Sequence, residues 1–302
     1  MPSSSLPSTV SGEPVPCCRL ARYHTPDQQG RTRRYPTDMT DPQWAVIEAL
    51  LPEPAWLTGC GGRPETHCRR TMIDAIFYLV DNGVKWRALP ADFPPWTAVY
   101  AFFTRWIRNG WLRMLHERLR AFIRGLADRR PEASWAAIDS QSVKAAATVS
   151  RHERGFDGGK RVNGRKRHIT VDSTGLLLHV LATPANTHDT KPAMPLLQAL
   201  HACHPSITTV YADTAYLGPL VDFAADACDI DLHVVLTERT PTGGYTIPWR
   251  RWIVERTLAW ISIRRRCARD YERDPFHHEA MTTWAMTLTM TRRIDKPTTR
   301  WT

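Results

Sequence analysis

At 302 residues the chain has the length of one large or two ordinary domains and can bury a sizeable core. Forty Lys and Arg against 30 Asp and Glu give a net charge of +10, which points to a polyanionic partner. No stretch approaches the ~20 apolar residues that span a bilayer, and the Met-Pro-Ser-Ser-Ser start lacks an apolar signal core, so a membrane protein is set aside and a cytoplasmic one expected.

Residues 1 to about 33 are rich in Ser, Pro, Thr and Arg without hydrophobic periodicity. Such a segment cannot bury enough surface to offset its ordering entropy, and a disordered arm over residues 1–34 is expected. Order begins at Thr40-Asp41-Pro42-Gln43. There Thr40 can cap, Pro42 suits a first helical turn and Gln43 can complete a capping box before Trp44, Ile47, Leu50 and Leu51. Pro52 ends that helix. After a Gly- and Pro-rich loop, Met72, Ile76, Leu79 and Val80 give the buried face of a helix from about Arg69 to Asp81, stopped by Asn82-Gly83. Helices at about Thr97 to Trp106 and Leu112 to Leu126 follow a compact turn anchored by Trp86 and Leu89.

Six of the twelve tryptophans lie between Trp44 and Trp111, which reads as the core of a small helical domain over residues 35–130. Its pairs of short helices with Gly turns also suit a helix-turn-helix, with Arg69, Arg70, Lys85, Arg87, Arg105 and Arg108 as phosphate contacts.

After Arg129-Arg130-Pro131 the spacing changes to short β-rich runs, which places a domain boundary there, with a second domain over 131–302. Ser134–Ile138 is an apolar run ending on Asp139. Lys166 to Asp172 and Leu176 to Thr183 read as a hairpin around Ser173-Thr174-Gly175. A helix from Thr187 to Cys203, an apolar run Ile207–Ala212 ending on Asp213, a helix at about Leu217 to Cys228 and a strand at about Asp231 to Leu236 follow. This order predicts an α/β fold, a mixed sheet with helices on its faces. A last long helix is expected from Trp249 to Arg266, with Val254, Leu258 and Ile261 as a buried stripe and Arg251, Glu255 and Ser262 along its edge. His277-His278 reads as a solvated helix start.

The seven cysteines (Cys17, Cys18, Cys60, Cys68, Cys203, Cys228 and Cys267) are odd in number and lack a C-x-x-C pair, which argues for reduced thiols rather than a disulfide framework or a zinc ribbon. Cys60, His67 and Cys68 match no zinc template.

Asp139 and Asp213 each close a short buried strand, and ligands gather beyond the carboxyl ends of parallel strands. Two carboxylates at ~4 Å repel by on the order of 4 kcal/mol in a partly buried site, so such a pair shares a proton or holds a cation. Oxygen ligation selects Mg²⁺ or Mn²⁺ over zinc. With Glu255 as a third ligand the site could hold two ions acting on a phosphodiester. The alternative for the aspartates is a turn or cap role; for Glu255 it is an ordinary pair with Arg251 or Arg256.

The segments AIDSQSVK from Ala137, GKRVNGRKRHITVD, LLLHVLATPANTHD, VYADTAY from Val210 and RRWIVERTLAW from Arg250 resemble the DDE transposases of the IS4/IS5 insertion-sequence group, most of all its IS5 branch. The resemblance runs from about Tyr35 to Ile294 with every block in order. It implies a ribonuclease-H-like catalytic fold preceded by a small all-α domain. It implies Asp139, Asp213 and Glu255 as metal ligands for Mg²⁺ or Mn²⁺, two ions in all. The implied partners are double-stranded DNA, as terminal inverted repeats and target, and a second copy of the chain; the implied place is the cytoplasm, on the nucleoid. The family's signature is a Tyr, an Arg, the Glu and then a basic residue. This chain keeps Arg251, for which the resemblance implies a DNA contact, but has Pro248 for the Tyr and Ser262 at the basic position, which opens the remaining phosphate-contact roles to Arg256, Arg264, Arg265 and Arg266.

From Arg151 to His168 the chain carries Arg151, Arg154, Lys160, Arg161, Arg165, Lys166 and Arg167 against Glu153 and Asp157. A basic loop there would overhang the metal site and hold a duplex end by its phosphates. Asp172 and the His188-Asp189 pair read as a hairpin turn and a helix cap. The expected activity is cleavage at each element end and transfer of the freed 3′ hydroxyl. Its rivals are a metal-dependent nuclease of the same fold and a repurposed copy that only binds DNA.

Overall fold

The structure, a computed structural model, describes residues 33–54, 56–59, 61, 64–235, 238–239, 245–246 and 249–296. Residues 1–32 of the expected arm, Cys17 and Cys18 among them, and Cys60, Leu236 and Pro248 lie outside the described residues. Helix α1 (Asp41–Leu50) opens with the predicted capping box: the Gln43 amide donates to Thr40 Oγ1 at 3.2 Å and the Thr40 amide to Gln43 Oε1 at 3.1 Å. Helix α2 (Arg69–Asn82) stops at Gly83, whose φ of +69° a side chain would resist; a Cβ there would also stand 2.9 Å from that of Arg265. Helices α3 (Trp96–Arg108) and α4 (Trp111–Leu126) complete the N-terminal set.

A sheet of six strands follows: β1 (Trp135–Lys144), β2 (Gly155–Asp157), β3 (Val162–Asp172), β4 (Leu177–Pro184), β5 (Thr209–Ala212) and β6 (Asp231–Val234). Its order is β2-β3-β1-β5-β6, with β4 paired to β3 beside β2. β1, β3 and β4 are antiparallel, whereas β5 runs parallel to β1 and β6 parallel to β5. Helices α5 (Thr190–Cys203) and α6 (Pro219–Cys228) cover one face. On the other lie α7 (Trp249–Ile263) and α9 (Pro275–Thr291), joined through the single turn α8 (Arg265–Ala268). Period-two alternation in β1 feeds both layers: Ala137 joins the α7 side, and Ala136 and Ile138 the α5 side.

The packing of the N-terminal helices is continuous with the rest. Side chains of α1 to α4 share one hydrophobic core with α7, α9 and the sheet residues Ala137, Ile169 and Val171. Trp106 of α3 and Trp284 of α9 are both fully buried with ring centroids 6.0 Å apart. Among the described residues no helix is long and apolar enough to cross a membrane.

Four expectations are corrected. The segment 151–168 is not a loop, because β3 begins at Val162 and pairs with β1 from Gly164↔Lys144 onward. Asp139 lies inside β1 rather than at its end, since β1 continues to Lys144 against β3. α7 ends at Ile263, three residues early: Arg264 turns extended (φ −74°, ψ 117°), is buried, and donates to Asp81 Oδ1 at 2.6 Å and Thr289 Oγ1 at 3.2 Å. His278 is buried rather than solvated, its Nδ1 3.0 Å from Asp270 Oδ1.

Candidate active site at the carboxyl edge of the sheet

The parallel pairing of β1 with β5 ends at Ala137↔Tyr211, so Asp139 and Asp213 each fall two residues past the last parallel pair, on neighbouring strands. That registry brings together residues 74 positions apart in the chain. Each Asp has one oxygen fixed by backbone: Ser140 N donates to Asp139 Oδ1 at 2.6 Å, and Ala215 N to Asp213 Oδ1 at 2.9 Å. The other oxygen of Asp213 faces the Arg251 guanidinium at 4.0 Å. Glu255 arrives on α7, which packs on β1, β3 and β5 through Val254, Leu258 and Ile261, all buried as the helical stripe requires.

Arg251, one turn before Glu255, joins the acids. Its Nη2 lies 3.3 Å from Glu255 Oε1 and 4.0 Å from Asp213 Oδ2. Burial pushes the Asp139 carboxyl up to about 6; the Ser140 amide opposes that, the Asp213 charge adds to it, and Lys160 and Arg251 pull it back. The same burial, with the charges of Asp139, Asp189 and Asp213, pushes the Tyr216 phenol well above its usual range. Tyr216 and Asp189 thus stand within the field of the pair, a placement that no spacing in the sequence reveals. Among the described residues no group of three or more His, Cys, Asp and Glu stands in ready metal-binding arrangement; the Arg251 guanidinium is shared by Asp213 and Glu255. The donor set itself, oxygen only, with two carboxylates whose outer oxygens are not spent on backbone, fits a hard divalent cation.

The basic residues divide by burial. Lys160 and Arg161 are exposed on the β2–β3 turn, where Arg161 has φ +54° and Lys160 Nζ reaches Ser140 O at 3.5 Å, beside Asp139. Arg165, Lys166 and Arg167 do not reach solvent, and DNA contact by them is corrected. Arg165 is fully buried on Asp270 at 3.0 Å and donates to the Glu153, Glu272 and Arg273 carbonyls. Lys166 holds Asp189 at 3.0 Å, so Asp189 occupies the cap position of α5 without capping it. Arg167 donates to Gln141 Oε1, to Ser262 Oγ at 2.9 Å and to Cys267 O at 2.9 Å. It therefore puts a cation beside Ser262, from β3 rather than from the helix. Gln141 was findable, because it follows Asp139 by two residues and so shares its face.

Arg256 is stacked between Trp252 and Trp260, 4.8 and 4.6 Å from their centroids, and donates to Thr174 O. Arg264 is buried as described and Arg266 on Glu272, while Arg265, Lys85 and Arg87 are exposed. In the N-terminal helices Arg69 is buried on Glu65 and Arg70 pairs with Asp41 at 2.7 Å, which takes Arg69 away from any phosphate; Arg105 and Arg108 remain accessible. Asp172 is fully buried, accepting from Thr174, Leu176 and Arg124, in keeping with the hairpin turn. Cys68, Cys228 and Cys267 are buried free thiols and Cys203 an exposed one.

Comparison with known proteins bears on this site. Residues 39–116 match the family described as "Putative transposase of IS4/5 family", and residues 130–290, more than half of the chain, match "Transposase DDE domain". The chain is similar to the "Putative transposase for insertion sequence element IS402" of Burkholderia cepacia, 32% identical over 124 residues, which are 39% of this chain and 58% of that protein. It therefore spans little more than half the length of that relative. It is also similar to "Uncharacterized protein y4sN" of Sinorhizobium fredii, 30% identical over 109 residues, 35% of this chain and 76% of that protein. A solved piggyBac transposase synaptic complex with hairpin DNA aligns over 68% of this chain and 48% of its own, with 12% identity and a TM-score of 0.32, a likeness too slight to bear on fold or function. The match over residues 130–290 takes in Asp139, Asp213 and Glu255 together, and the chain belongs to the DDE-domain transposase family, of the IS4/5 type.

Proposed function

We propose that this chain is a DNA transposase that cleaves the phosphodiester at each end of an insertion element and joins the freed 3′ hydroxyl to target DNA. The observation that carries the reading is that Asp139 and Asp213 stand side by side, two residues past the last parallel pair of β1 with β5, with Arg251 linking Asp213 to Glu255. The strand order, three antiparallel strands followed by two parallel ones with β1 central, supports a ribonuclease-H-like catalytic unit over 131–302. Asp139, Asp213 and Glu255 would hold Mg²⁺ or Mn²⁺, two ions by the two-metal pattern. The chemistry such ions would supply is a lowered pKa for an attacking water and neutralisation of charge on the phosphoryl group.

The chain's own residues do the positioning. The Ser140 and Ala215 amides fix the two aspartates, and α7 presents Glu255. Lys160 and Arg161 on the β2–β3 turn, with Arg256, Arg265, Lys85 and Arg87, offer phosphate contacts along a duplex. The N-terminal helices 35–130 form the end-recognition part, and because an element has two ends the working species is a homodimer or higher multimer on DNA, in the cytoplasm at the nucleoid.

Asp213→Asn tests the reading. It should abolish cleavage of end-bearing DNA, a loss of more than about 10³-fold, which corresponds to about 4 kcal/mol of barrier, while end binding persists. Cleavage at the wild-type rate would remove Asp213 from the chemistry. Pre-cleaved ends with a supercoiled target separate transposase from nuclease, because a nuclease yields no joined product.

A further inference from the structure

The cation among the three acids is a residue of the chain itself. Arg251 Nη2 reaches Glu255 Oε1 on its own helix at 3.3 Å and Asp213 Oδ2, just after β5, at 4.0 Å, and its charge also bears on Asp139. An ordinary i,i+4 pair on a solvated helix face links two neighbours of one element. This guanidinium instead spans two elements, and its side chain is only 13% exposed against 32% for Glu255. Resting on the reading of these acids as metal ligands, we propose that Arg251 is their internal counter-ion in the resting protein and is displaced from them when a divalent cation binds.

The two cations compete for the same lone pairs. A hard divalent ion takes carboxylate oxygens at about 2.0–2.1 Å, and Nη2 already stands 3.3 and 4.0 Å from oxygens of two of the three acids. An ion between those oxygens would press a second positive charge against the guanidinium in a partly buried site, so the arginine swings away. The displaced fork of five N–H donors is then available for the DNA contact that the resemblance already implies at this position.

Mn²⁺ binding to the full chain without DNA, followed by electron paramagnetic resonance, tests this. Relative to wild type, Arg251→Gln should bind Mn²⁺ at least tenfold more tightly, and Arg251→Lys, which keeps a positive charge, should stay within about threefold of wild type. Unchanged or weaker binding by a folded Arg251→Gln overturns the proposal, provided wild-type binding is lost in Asp139→Asn and so belongs to this site. Mn²⁺ binding that ignores Asp139 in every variant overturns instead the assignment of the acids as ligands. Should the Gln variant not fold, the arginine Nε–H resonances of the wild-type chain give the same answer under Mg²⁺ titration. One slowly rotating, paired guanidinium should convert to a freely rotating one as Mg²⁺ saturates, and a signal unmoved at saturation refutes displacement.

Discussion

Arg165 separates a structural arginine from a DNA-binding one, and Arg165→Met makes the separation measurable. The substitution keeps most of the side-chain volume but strips Asp270, itself fully buried, of a partner at 3.0 Å. It also deprives the carbonyls of Glu153, Glu272 and Arg273 of donors at 3.0, 2.7 and 3.0 Å. Removing one member of a buried ion pair costs about 3–5 kcal/mol, because the remaining charge is desolvated without compensation. His278, 3.0 Å from the same carboxylate, limits the loss to the lower part of that range. For a chain of this size that is on the order of 10 °C in melting temperature. Thermal unfolding by circular dichroism should show this drop, and end-duplex binding well below the new melting temperature should be nearly unchanged. Lys160→Ala should do the reverse, weakening DNA binding and flattening its salt dependence at unaltered melting temperature. An Arg165→Met protein that melts like wild type yet loses DNA would refute the reasoning.

Two further outcomes follow from the geometry. The Asp139 carboxyl is raised from 3.8 to about 6 in the folded chain, so the native state favours its proton: the stabilisation is full below about pH 3.8 and lost as pH rises through 6. Metal-free Asp139→Asn should therefore be more stable than wild type at pH 7.5, by up to about 3 kcal/mol at about 1.4 kcal/mol per pH unit. That advantage should vanish near pH 4 in paired denaturant titrations; a constant difference across this range would contradict it. Gly164→Ala places a Cβ into the Val143 carbonyl and 2.7 Å from Ala145 N, both backbone and unable to yield. It should destabilise the chain by about 1–3 kcal/mol or more, visible as a lowered urea midpoint; a wild-type midpoint would show that the β1–β3 ladder parts more easily than its registry suggests.

Local chemistry and the apolar stripes of the helices were legible in the sequence, and the burial of charged side chains was not. The Thr40–Gln43 box, the Gly83 stop and the turn after Asp172 were readable because each is settled within a few residues. Asp139 and Asp213 were readable as a pair because short apolar runs ending on an acid mark adjacent parallel strands, although β1 runs on past Asp139 against a partner strand that spacing cannot register. Charge runs misled. Arg165, Lys166 and Arg167 look like solvated basic sequence, yet alternate residues of β3 carry them to both faces, where Asp270, Asp189 and Gln141 lie. The turn at Arg264 likewise depends on Asp81, 183 residues away in the chain.

Helix α9 closes the core that the N-terminal helices began, with Trp284 set against Phe77 and Trp106. Those early helices therefore complete their packing only against the last long helix of the chain. A polypeptide cut short before Pro275 would leave aromatic surface bare and the acids without a rigid frame.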